Sequence, residues 1–336
     1  MDHTKELKFA IELVSKACIV TSLVQVQLEK IIKHTKNDRS PVTIADYATQ
    51  AYIGKALADF EPNVLLAAEE DSTSLKQQQD TRLIEGIKEA LQPVWSNASP
   101  EDIVGAIDLG THDGVSTRFW TLDPIDGTKG FLRGGQYAIS LALIEGGEVT
   151  CGILGCPNLS SDLNRPFDDP DPIGNLYFST SSTNTRSLEI GQGIEYAKPV
   201  RASTDIAIQN IRICESVEAA HSNFSDSAKI SRELGTKGKP ARLDSQCKYA
   251  VVARGQAEAY IRSPAKRLYE EKIWDHAAGT IVAQQAGATV SDLHGKKLDF
   301  NHGRTLKQNR GILCVSQEHH ARISSVISEI DLGWTV

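Results

Sequence analysis

The stretch Asp123-Pro124-Ile125-Asp126-Gly127-Thr128, introduced by Trp120-Thr121-Leu122, limits this chain more than any other feature. Trp120 to Leu122 reads as a strand stub. Two carboxylates three residues apart follow, restrained by a proline between them, and then Gly and Thr, where a turn or helix can begin. If the strand ends at Leu122, both aspartates and the Ile125 carbonyl can point into one site. Ligands made of oxygen alone suit Mg²⁺ rather than zinc. The N–H groups of Gly127 and Thr128 could meet a phosphate, as helix N-termini do. An Asp before Gly-Thr also serves as a plain helix cap, so the motif by itself leaves both readings open.

Two more acidic clusters bear on the choice. Glu69-Glu70 closes the short apolar run Val64–Ala68, a strand end where a loop carboxylate is well placed for chemistry. Asp275 lies in Ile273-Trp-Asp-His-Ala-Ala-Gly279, at an expected helix start. Each alone reads as a solvated strand end or a helix cap. Three such places in one chain favour a metal cage over coincidence.

The rest of the chain supplies a layered scaffold. Leu7, Ala10, Ile11, Val14, Ala17, Cys18 and Thr21 recur at helical spacing, predicting one amphipathic helix over 4–33. Further helices are expected from about Ala45 to Phe60 and from Thr81 to Leu91. The apolar runs Ala138–Glu145 and Glu148–Leu154, joined by Gly146-Gly147, predict a hairpin. Beyond a boundary near 185–200, strand-like and helical segments alternate, which predicts an α/β second half. The expected division is an N-terminal α+β domain, 1–190, with most of the acidic ligands, and a C-terminal α/β domain, 191–336, with Asp275.

Charge and cysteine content narrow the function classes. Lys and Arg total 36 against 43 Asp and Glu, a net charge of −7, which argues against a nucleic-acid partner but leaves open an anionic small molecule. Runs such as Ala138–Ile144 fall well short of the ~20 residues that a membrane helix needs, and no signal-peptide pattern is evident, so no membrane partner is expected. The six cysteines form no C-x-x-C pair. Buried reduced thiols are expected, with a redox switch the lesser alternative, and a cytoplasmic or nuclear location fits both.

Taken together, Ala68-Glu69-Glu70, Asp123 to Thr128 and Trp274 to Gly279 resemble the inositol monophosphatase superfamily of lithium-sensitive, Mg²⁺-dependent phosphatases. Within it, the chain resembles the 3'(2'),5'-bisphosphate nucleotidase branch, through Lys36 to Asp46, Asp126 to Arg133 and Tyr269 to Asp275. The similarity runs from about residue 5 to 330. It implies a layered αβαβα sandwich (the sugar-phosphatase fold) with the site in the cleft between its halves. It also implies that Glu69, Asp123, Asp126, Asp275 and the Ile125 carbonyl bind as many as three Mg²⁺, with Glu70 standing behind Glu69. Asp46 and the Thr128 hydroxyl would orient and deprotonate the attacking water, and Thr128 and Asp275 would also contact substrate.

The same resemblance places His221, Ser245, Lys248 and Arg262 in a nucleotide pocket. Without it, His221 reads as an ordinary surface or core histidine, and Lys248 and Arg262 as solvated charges. Ser245 and Lys248, three apart, share a face if their segment is helical. The implied activity is removal of the 3'-phosphate of adenosine 3',5'-bisphosphate, with 3'-phosphoadenosine 5'-phosphosulfate as a second substrate. Inhibition by Li⁺ is implied, with Na⁺ as a further candidate inhibitor, and a monomer is expected. The rival readings are an inositol polyphosphate 1-phosphatase and, from another class, a non-catalytic nucleotide or metal sensor on the same fold. Residues 158–174 and 180–187 depart from the family pattern, which bears on loop lengths and not on the acidic cluster.

Overall fold

The computed structural model describes residues 3–32, 40–78, 81–217, 224–264 and 269–330. Two long helices, α1 (Thr4–Ile32) and α2 (Ser40–Phe60), lead into strand β1 (Leu66–Ala68) and helices α3 (Thr73–Gln78), α4 (Thr81–Leu91) and α5 (Pro100–Asp108). Strand β2 (Arg118–Asp126) and the short helix α6 (Thr128–Leu132) follow. Then come β3 (Ala138–Glu145), β4 (Glu148–Cys156), β5 (Asn175–Thr180), β6 (Arg186–Glu189) and β7 (Lys198–Pro199). These seven strands form one sheet in chain order, with β1 parallel to β2 and every other pair antiparallel.

The second half holds β8 (Ile213–Glu215), α7 (Phe224–Leu234), β9 (Ala241–Arg242), α8 (Cys247–Ala253), β10 (Ala259–Arg262), α9 (Ala277–Gln285), β11 (Ala288–Ser291), β12 (Ile312–Ser316) and α10 (His320–Glu329). Its five strands are ordered β11-β12-β10-β8-β9.

Burial alternates along the strands as a two-sided sheet requires. Ile139, Leu141 and Leu143 of β3 pack with α1, α2, α4 and α5. Ala138, Ala142 and Ile144 face the other way, toward α8 and α9, which also cover the second sheet. Beyond that sheet, Ile230, Ile323 and Ile327 of α7 and α10 close a third core. The order helix, sheet, helix, sheet, helix is the αβαβα sandwich expected.

Several local expectations need correction. The first sheet continues past residue 190 through Lys198–Pro199, so the chain leaves it at the late end of the 185–200 range drawn from sequence. Helix α2 starts at Ser40 rather than near Ala45, and polar residues 73–78 form a helix. Within α1, Thr4–Gln27 is long and apolar enough to cross a membrane by composition, a test that the shorter apolar runs fail. Its apolar side is accounted for by packing: Ala10, Val14, Ala17 and Cys18 are buried in the core. The Gly146-Gly147 hairpin is as expected, with both glycines at positive φ (57° and 78°). All six cysteines are free and buried.

Candidate active site

A cavity of about 410 Å³ opens where β1 and β2 end. It brings together Glu69, Asp123, Ile125, Asp126, Thr128, Ser245, Lys248, Arg262 and Asp275, which come from both halves of the chain. The parallel pairing of β1 with β2 explains its acidic side. Ala68 lies opposite Leu122, so the next residues, Glu69 and Asp123, emerge side by side. The Glu69 N–H donates to the Leu122 carbonyl (3.2 Å).

The strand does not stop at Leu122. Strand β2 runs on to Asp126, and its register against β3 shifts there: Asp123 pairs with Ser140, but Asp126 pairs with Ala138. Three steps on one strand face two on the other, so one residue is bulged out. In a regular strand, residues three apart point to opposite faces. The extra residue returns Asp126 to the face of Asp123. Pro124 suits this place because it has no N–H to lose from the ladder.

Gly127, which follows, has φ 88°. A Cβ there would lie 2.9 Å from the Ser245 Cβ, so only glycine lets the two halves close. Asp126 Oδ2 in turn accepts the Gln246 N–H (2.6 Å). Gln246 also donates to the Trp274 carbonyl (2.8 Å) and accepts the Gly279 N–H (2.9 Å). One glutamine thus ties the bulge to both segments of the second half that border the cavity.

The carboxylates are held in each other's way. Asp123 is pushed well above the usual carboxylate range by burial, then by Glu69, Asp126 and Asp275. Asp275 is raised by burial, against the pull of Arg262. Asp126 is raised by burial, with Lys248 opposing. Glu69 is raised by loss of water and by Asp126. Asp123 Oδ1 is buried with no hydrogen-bond partner. An orphaned buried carboxylate oxygen among three further acids is costly unless a cation meets it. The donors are all oxygen, which fits a hard divalent cation.

Two expected site residues, Asp46 and Glu70, are not among those that line the cavity. Asp46, on α2, is buried, and burial, Glu70 and Glu69 push its carboxyl up. No hydrogen bond joins it to Thr128 among the described residues. Glu70 also lies off the cavity and is pushed up to about 7 by burial, Glu69 and Asp71. Its backbone is pinned by Gln50, whose Oε1 accepts the Glu70 N–H (3.0 Å) and whose Nε2 donates to the Glu70 carbonyl (2.6 Å). His221 lies outside the described residues, as does Lys36–Arg39 of the Lys36–Asp46 stretch.

The same cavity carries two cations. Lys248 is buried, with its ammonium 5.2 Å from the Tyr260 ring centroid and only a 3.5 Å contact to the Leu243 carbonyl. It makes no ion pair among the described residues, and burial lowers its pKa, with Asp126 opposing. Ser245 does not share a helical face with it, contrary to expectation: α8 begins at Cys247, and Ser245 is left-handed (φ 67°). Its Oγ accepts the Cys247 N–H (3.1 Å), and this turn, not a helix, brings both residues to the cavity.

Arg262 is gripped side-on by Glu271. Nε donates to Oε1 at 2.9 Å, and Nη2 approaches Oε2 at 2.9 Å. His276 Nε2 lies 3.2 Å from the same Oε2, and the Tyr249 hydroxyl 3.0 Å from His276 Nδ1. Glu271, Asp275 and His276 are close enough to suggest a metal triad, but Arg262 and Tyr249 already occupy the ligand atoms of Glu271 and His276. Sequence reasoning gave Glu271 no role, although it sits inside the Tyr269–Asp275 stretch. Gln246 and Arg304 also escaped notice, because their partners are remote in sequence.

An αβαβα sandwich with a carboxylate cluster at strand ends and two cations in the same cavity defines a metal-dependent phosphatase cleft. The chain belongs to the inositol monophosphatase family, which it matches over residues 2–332. It is 41% identical over 329 residues to the 3'(2'),5'-bisphosphate nucleotidase of Schizosaccharomyces pombe, covering 93% of this chain and 92% of that one. It is 38% identical to 3'(2'),5'-bisphosphate nucleotidase 2 of Candida albicans, covering 98% of each. The fold is also that of Mycobacterium tuberculosis SuhB, with a TM-score of 0.61 at 15% identity over 98% of each chain.

Proposed function

We propose that this chain is a Mg²⁺-dependent 3'(2'),5'-bisphosphate nucleotidase that converts adenosine 3',5'-bisphosphate to AMP and phosphate. The observation that carries the reading is the make-up of one cavity: four carboxylates and the two cations Lys248 and Arg262 line it together. A substrate with two phosphates calls for both, a cation-holding acidic cluster for one phosphate and fixed positive charge for the other. Glu69, Asp123, Asp126, Asp275 and the Ile125 carbonyl hold Mg²⁺, which supplies charge neutralisation and an acidified water when bound. Thr128 presents its hydroxyl at the start of α6, and Asp46 is the carboxylate assigned to take a proton there. Hydrogen bonds of this kind often tighten only with substrate present.

Lys248 and Arg262 receive the second phosphate, which stays on the product. Li⁺ is expected to inhibit by competing for a carboxylate-held cation position. The experiment is a phosphate-release panel with Mg²⁺, with and without Li⁺. It compares adenosine 3',5'-bisphosphate, its phosphosulfate analogue, inositol 1,4-bisphosphate, fructose 1,6-bisphosphate and inositol 1-phosphate. The adenosine bisphosphate is expected to turn over best, with the phosphosulfate also accepted. Absence of nucleotide turnover would overturn the reading, and faster release from inositol 1,4-bisphosphate would replace it with an inositol phosphatase.

A further inference from the structure

We propose that Arg304 is a positioning residue for the metal: it fixes the strand end that bears Glu69 to the segment that bears Asp275. The inference rests on reading the carboxylate cluster as the metal site. Glu69 and Asp275 come from opposite halves of the chain, and no strand pairing joins their segments. Their charges oppose each other, so a cage preformed for a cation needs something else to hold its walls in place.

Arg304 touches the residue before each of these acids. Its Nη2 donates to the Ala68 carbonyl, and its Nη1 donates to the carbonyls of Gly110 (3.1 Å) and His112 (2.9 Å). The same guanidinium stacks on Trp274, 4.5 Å from the ring centroid. Its own carbonyl accepts the Ile273 N–H (3.2 Å), and Thr305 bridges to Lys272. One planar side chain therefore reads the end of β1 with its edge and covers Trp274 with its face.

The choice of partners argues against an ordinary salt bridge. Among the described residues Arg304 makes no ion pair, and three backbone carbonyls take its donors. A guanidinium does this well because its rigid fork aims several donors at once while its face stacks. An ammonium keeps the charge but loses the fork and the stack. Groups that orient metal ligands without touching the metal typically change metal affinity by about 10–100-fold when removed.

The test uses the full-length chain and its Arg304→Ala and Arg304→Lys variants. Mg²⁺ is titrated against the melting temperature of the metal-free protein and, separately, against phosphate release. We expect the Mg²⁺ midpoint in both titrations to rise about 10-fold or more in Arg304→Ala, with Arg304→Lys in between. Affinity for adenosine 3',5'-bisphosphate measured in EDTA is expected to stay at the parental value, because Lys248 and Arg262 are untouched. If Arg304→Ala fails to fold, the lysine variant carries the test. Parental Mg²⁺ midpoints in the folded variants overturn this inference alone. A parent whose melting temperature ignores Mg²⁺ overturns the metal reading and this inference with it.

Discussion

Replacing Glu271 by glutamine puts a number on the network that holds Arg262 at the cavity. Glu271 is only 3% exposed at its side chain, and its carboxylate meets Arg262 along a 2.9 Å fork and His276 at 3.2 Å. Burial alone would raise its pKa. Arg262, then His276, outweigh burial and bring it from 4.5 down to about 2. A folded-state pKa below the unfolded one contributes stability that is complete above about 4.5 and is lost as pH falls toward 2. At ~1.36 kcal/mol per tenfold change in proton affinity, the contribution near neutrality is about 3 kcal/mol. A second route agrees, since removing one partner of a buried ion pair costs roughly 3–5 kcal/mol. The assay is urea unfolding of the parent, Glu271→Gln and the double variant Arg262→Met/Glu271→Met, each at pH 7.5 and 5.5. We expect Glu271→Gln to lose about 3 kcal/mol equally at both pH values, because the titration lies below them. The double variant should lose less, since it leaves no uncompensated guanidinium behind. A loss under about 1 kcal/mol, or one that shrinks between pH 7.5 and 5.5, would refute the argument.

Other substitutions probe the acids and the cations of the cavity separately. Asp123→Asn is expected to lower phosphate release by at least about 100-fold, since a ligand of the proposed metal cage should matter more than its supports. It should also raise the melting temperature of the metal-free protein, because one of four mutually repelling acids is gone. Lys248→Met is expected to raise KM for adenosine 3',5'-bisphosphate by about 10-fold or more, with kcat nearly unchanged, as loss of a charge-assisted hydrogen bond costs ~1.5–3 kcal/mol. Steady-state kinetics check it, and a fall in kcat at constant KM would contradict the assignment. Gly127→Ala is expected to cost about 1–3 kcal/mol in unfolding experiments, from its left-handed backbone and the 2.9 Å approach to Ser245.

What the sequence discloses and what it conceals follow one physical division. The acids Asp123, Asp126, Glu69 and Asp275 are legible because their chemistry is concentrated in short local motifs. How Asp123 and Asp126 come to face the same way is not legible, since it depends on the β3 register that creates the bulge. A sequence in which Pro124 ends the strand reads equally well. Ser245 misled for a related reason: spacing suggests a shared helical face with Lys248, whereas the turn at φ 67° is imposed by what packs around it. The supports are further from view. Arg304 reaches Ala68 across 236 positions, and no motif surrounds it.

The domain boundary shows the same division acting on the whole site. Residues 277–285 belong to the second half by sequence, yet α9 packs on β3, β4 and β5 of the first sheet as well as on β11. One glycine of the sheet permits this approach: a Cβ at Gly152 would meet the Ile281 side chain at 2.3 Å, while Gly279 lets α9 close on Tyr249 of α8, which a Cβ there would meet at 2.2 Å. Asp275 sits just before α9, so docking this helix on the first sheet is what carries the fourth carboxylate to the other three. A larger residue at Gly152 would push α9 outward and draw Asp275 from the cage without touching any acid. By this geometry the metal site belongs to neither half, and its integrity is a property of the packing between them.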